Sequence, residues 1–101
     1  MKIIQRISER IEDEIKDAKN YATMALETKD DHPELSRVLY TISQQEMEHM
    51  RMLHDAAVNL IAEYRRTKGE PPEKMMAVYE YLHQKHIDAA AEAKIVQSMY
   101  K

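Results

Sequence analysis

Helix-breaking residues occur at only two places in this chain. Pro33 stands alone, and Gly69, Pro71 and Pro72 form a second group. A glycine in a helix interior costs about 1 kcal/mol relative to alanine, and a proline about 3 kcal/mol. The 101 residues therefore divide into three long segments that nothing interrupts. There is no Phe and no Trp to build a strand-rich core. The pattern predicts an all-α protein with helices over about residues 2–29, 33–67 and 72–100, in one domain spanning 1–101. Pro33 suits the first turn of the second helix, where its missing N–H is not needed. Asp31 and Glu34 have capping-box spacing, and Glu34 also serves as a partner for the helix dipole. Gly69 supplies a left-handed stop, and Pro71-Pro72 prevents continuation. Short connections make neighbouring helices antiparallel, in the order up, down, up.

Composition narrows the classes further. Hydrophobic residues make up 44% and charged residues 33%, a balance that suits amphipathic helices rather than a disordered chain. The net charge is −3 with both signs interspersed, so no basic stripe exists for a nucleic acid. The absence of cysteine excludes a disulfide scaffold, a thiolate metal site and a cysteine nucleophile. No apolar run reaches the roughly 20 residues a bilayer span needs, and the N-terminus lacks a secretory stretch. These features lead to the expectation of a cytoplasmic protein without a membrane partner.

Each segment carries an apolar stripe with steps of four and three. The first reads Ile4, Ile7, Ile11, Glu14, Ala18, Tyr21, Ala25. The second reads Leu35, Leu39, Ile42, Glu46, His49, Leu53, Ala56, Leu60. The third reads Met75, Tyr79, Leu82, His86, Ala89, Ala93, Val96, Tyr100. Glu14, Glu46 and His49 stand where leucines belong. Buried carboxylates are normally paired or metal-bound.

Glu46-Met47-Glu48-His49 is a Glu-x-x-His step, whose ends project in similar directions from a helix. With the turn near residue 31 as a mirror, Glu14 comes to the same height as Glu46 and His49 in an antiparallel hairpin. Two carboxylates and an imidazole favour Fe, Mn or Zn over Ca. Tyr21, seven residues after Glu14, shares its face and is a candidate to support a ligand carboxylate through its hydroxyl.

Glu80-Tyr81-Leu82-His83 repeats the Glu-x-x-His step but sits too close to the second turn to reach the same level. Glu92 fits that level better, among Ala89, Ala90, Ala91 and Ala93, and is an additional candidate ligand. His86 reads as a core histidine, His32 as a turn residue and His54 as a flank residue. The methionines read as packing residues.

Glu14 with Tyr21 seven residues later, followed by Glu46-Met47-Glu48-His49, resembles the first half of the rubrerythrin and ferritin-like di-iron carboxylate proteins. The resemblance covers roughly residues 3 to 65. It implies a four-helix bundle in which two helices each give a Glu and two each give a Glu-x-x-His. The chain has no convincing second half, so the resemblance implies a homodimer at least, with both copies of Glu14, Glu46 and His49 around two irons. Encapsulated ferritins are similar in being short and sharing a site across a dimer. Without cysteine there is no rubredoxin-type relay. The implied chemistry is ferrous iron oxidation by dioxygen or hydrogen peroxide, for storage, detoxification or peroxide scavenging, with Mn or Zn as alternative metals. The competing reading is a non-catalytic helical interaction module that keeps a remnant or structural metal site.

Overall fold

In the computed structural model, which describes all 101 residues, the two breaker sites separate three helices and no strands. They are α1 (Lys2–Thr28), α2 (Pro33–Lys68) and α3 (Glu73–Ser98). Every boundary lies within two residues of the position expected from sequence. The 36 residues of α2 rise roughly 54 Å at 1.5 Å each. That single helix sets the long dimension of a 56 × 18 × 18 Å rod. No helix is long and apolar enough to cross a membrane.

The helix ends differ from expectation in two details. Asp31 does not cap α2. His32 occupies the cap position without a side-chain hydrogen bond, and its carbonyl accepts from the Ser36 N–H at 2.9 Å. Glu34 in the first turn and Arg65, Arg66 and Lys68 in the last instead complement the dipole. Gly69 ends α2 at φ 89° and ψ −163°, with its N–H on the Arg65 carbonyl at 3.2 Å. Its φ is positive as a glycine stop requires, but its ψ lies outside the left-handed helical region. Essentially only glycine occupies that conformation.

The α1–α2 hairpin is held by small residues and by two hydroxyls. Ser36 Oγ donates to the Ala25 carbonyl at 2.5 Å, and Ser43 Oγ donates to the Ala18 carbonyl at 2.5 Å. Both serines are fully buried, as are Ala18 and Ala25. Seven residues separate the two bonds on each helix, which is two helical turns. Both bonds centre the hairpin on the Asp30–Asp31 peptide. Ile11 with Met50 and Ile4 with Ala57 obey the same register, in an upper cluster around Ile15 and Met47 and a lower one that includes Ile61.

The α2 face that this packing buries is Ser36, Leu39, Ser43, Met47, Ala57 and Ile61. The stripe Leu35, Leu39, Ile42, Glu46, His49, Leu53, Ala56, Leu60 meets that face at Leu39 and is otherwise rotated to one side of it. Leu35, His49 and Ala56 are exposed, and Ile42, Glu46, Leu53 and Leu60 are half-buried.

Helix α3 lies mainly against α1, burying Ala90 and Ala93 beside Ile11, Ile15 and Ala18. It meets α2 at few places. Tyr40 stacks on Tyr100 at 4.2 Å, Gln97 Nε2 donates to Ser43 Oγ at 2.9 Å, and His54 stacks on His83 at 4.9 Å. Met47 is core, as expected for a packing methionine, while Met24, Met52 and Met99 are exposed. Val38, Val58, Val78 and Ile95 are also left exposed.

Two substitutions test this account by thermal or urea unfolding. Gly69→Ala forces an L side chain into a glycine-only conformation and lowers stability by about 1–3 kcal/mol, although no atom stands within 4 Å of the new Cβ. Ser43→Ala removes the bond to Ala18 and the acceptor for Gln97 and costs about 1–2 kcal/mol.

Candidate metal centre

The hairpin register carries Glu14 on α1 to the level of Glu46 and His49 on α2. One oxygen from each carboxylate and one imidazole nitrogen lie within 4.8 Å of one another. His49 Nδ1 stands 3.6 Å from Glu14 Oε2 and 4.0 Å from Glu46 Oε1. The carboxylate side chains are 15% and 18% exposed, whereas His49 is 55% exposed. The group therefore sits at the margin of the α1–α2 layer, with its oxygens turned inward and its imidazole at the rim. A shallow recess of about 300 Å³ borders it, lined by Arg10, Glu14, His49, Met52 and Leu53.

The electrostatics are those of two acids forced together. Glu46 is pushed up from the ordinary carboxylate value of 4.5 to about 7. The largest cause is a proton shared with the Glu14 carboxyl. Burial follows, then the charges of Glu14 and Asp17, and His49 opposes the shift. When both carboxyls are ionised no donor remains between them, and the buried Glu14 Oε2 has no hydrogen-bond partner. A buried charge in that state is costly unless a cation meets it.

The donor set fits a divalent transition metal. Two carboxylates and one neutral imidazole neutralise the charge of one such ion and offer oxygen and nitrogen ligands together. Ligands about 2.1 Å from a common ion stand roughly 3–3.5 Å apart, so the group needs only a modest contraction to grip one.

The other sequence candidates lie apart from this group. Tyr21 is half-buried two turns along α1, and its hydroxyl makes no hydrogen bond to Glu14 Oε2. Glu92 is on the α3 surface, where its Oε2 meets Lys19 Nζ at 3.2 Å with both side chains well exposed. It is not in the three-residue group. Glu80 is exposed and His83 stacks between elements, so the second Glu-x-x-His forms no such cluster. Arg10, which lies off the apolar stripe of α1, borders the recess one turn before Glu14. Its spacing of four from Glu14 was the available signal.

No protein-family model, curated protein or solved structure matches this chain.

The raised Glu46 value fixes the sign of a pH effect. Between about 4.5 and 7 the folded, metal-free protein holds a proton that the unfolded chain releases. Its stabilising contribution is complete below that window and is lost as the pH rises through about 7. The thermal midpoint of chelator-treated protein is expected to fall across this interval. Glu46→Gln, which cannot ionise, is expected to flatten the decline, and differential scanning calorimetry over a pH series checks both.

Proposed function

We propose that this chain is one half of a ferritin-like non-haem iron centre, completed when two copies pair. In this reading α1 and α2 of each copy form a four-helix bundle. Paired sets of Glu14, Glu46 and His49 then hold two irons between the protomers.

The observation that carries the reading is the convergence of Glu14, Glu46 and His49 with Glu14 Oε2 buried and without a hydrogen bond. Their position supports pairing as well. By helical spacing, Ile3 and Ile7 share the Glu14 face, and Leu35 and Leu53 share that of Glu46 and His49. Ile3 and Leu35 are exposed in the single chain, and Ile7 and Leu53 are only partly covered. A second copy laid over this margin would bury both the apolar residues and the half-open cluster, in the isologous manner of a twofold dimer.

Iron bound there would supply one-electron chemistry toward dioxygen or hydrogen peroxide, ferrous iron being oxidised to ferric. The protein's own groups have simpler tasks. Glu14 and Glu46 give up their shared proton as a cation enters. His49 supplies a neutral nitrogen at the rim. Met52 and Leu53 keep the recess partly apolar, and a small uncharged oxidant can approach along it.

Purified protein from iron-replete cells tests the proposal by elemental analysis, together with mass measurement in solution. The expected result is a dimer carrying about two irons, with iron lost in Glu46→Ala and His49→Ala while the helical circular dichroism signal persists. Oxygen or peroxide consumption on adding ferrous ion is expected in the parent and absent in both variants. A folded monomer that takes up no metal would instead support a helical interaction module.

A further inference from the structure

Away from the Glu14–Glu46–His49 group, residues of α1, α2 and α3 together line a cavity of about 490 Å³. None of the three metal-site candidates lines it. Its volume is that of a small-molecule pocket and far exceeds one ion.

Its chemistry is unusual for so small a protein. One wall is a column of flat rings. Tyr79 and His83 are parallel within 1° at 6.0 Å, and His83 and His54 lie within 14° at 4.9 Å. His86, one turn beyond His83, lines the cavity at 8% exposure and forms no hydrogen bond within the chain, which leaves its imidazole available to a ligand. Burial, with His83, Lys85 and His54 nearby, holds His86 below its ordinary value against the opposing pull of Glu12. Ile11 and Ala90 form an apolar floor.

Charge at the mouth is donor-rich. Arg51 and Lys94 line the cavity against a single carboxylate, Asp55. Arg51 is engaged by Glu48 at 2.6 Å, and Lys94 forms no ion pair.

We infer that this cavity binds a small planar aromatic acid, its ring against the His54–His83–Tyr79 column and its carboxylate between Lys94 and the His86 imidazole. A flat ring matches the column, and stacked aromatic pairs add to simple area burial. A carboxylate matches a lining in which donors outnumber acceptors, and charge-assisted hydrogen bonds are the stronger kind. The inference stands independently of the iron proposal, because the two sites use different residues.

The test uses four probes on the intact chain: 2-naphthoate, its neutral amide, 2-naphthylmethylamine and acetate. Calorimetry gives affinity, and ¹⁵N-detected imidazole resonances give location. The expected result is one 2-naphthoate per chain at sub-millimolar affinity, shifting the ring signals of His54, His83 and His86. The amide is expected to bind about tenfold more weakly, and the amine and acetate not measurably. Lys94→Gln, an exposed change that leaves folding intact, is expected to weaken 2-naphthoate about tenfold, and His86→Phe to abolish it. Glu46→Gln, which disables the metal site, is expected to leave it unchanged.

Equal binding of anion, amide and amine overturns the inference. So does the absence of any heat or imidazole shift at millimolar 2-naphthoate. Binding that vanishes as protein concentration rises, because a second copy fills the cavity, overturns it as well.

Discussion

Everything in this molecule depends on the register between α1 and α2. Ser36 on Ala25 and Ser43 on Ala18 fix it with hydroxyl-to-carbonyl bonds that only small neighbours permit. A hydroxyl that meets a carbonyl in a dry interface is satisfied, whereas a shifted register would leave it orphaned. Because a helix rises 5.4 Å per turn, a slip of one turn would move Glu14 by more than the 4.8 Å within which the three ligand atoms now lie. The cluster is thus a consequence of the two serines, although neither touches it.

The same close packing explains which face is buried. Small residues at Ser36, Ser43 and Ala57 let the backbones approach, with Leu39, Met47 and Ile61 filling the same face between and beyond them. Glu46 lies on one flank of that face, and His49 lies further out. Their half-exposed position resolves a physical conflict. Two carboxylates at the centre of the layer would have no means of ionising. At its margin they remain close enough to share a proton, and His49 stays within reach of solvent.

Much of the fold was legible because glycine and proline punctuate so sharply. Pro33 and the Gly69–Pro72 segment located three helices nearly to the residue. The height of Glu14 against Glu46 and His49 was legible too, since rise per residue is constant in antiparallel helices. The azimuth was not. Two adjacent stripes on α2 are both apolar enough to pack. The sequence favours the one with leucines, whereas backbone proximity selects the one with serines. Glu92 illustrates the same gap. Its level along α3 suits the cluster, but its rotation about the helix places it against Lys19 on the surface. The histidine-lined cavity was invisible for a further reason. His54, His83 and His86 read separately as flank, weak motif and core, and only the stacking of His83 on His54 across α3 and α2 assembles them.

The serine bonds have one more consequence, which concerns the surrounding solution. They join neutral groups in a buried interface, so dissolved ions cannot screen them as they screen the exposed Arg51–Glu48 and Lys19–Glu92 pairs. The frame should keep its alignment from dilute buffer to brine, with the surface charges contributing little either way. A cation would therefore find its three ligands already level with one another and would not have to draw the helices into place.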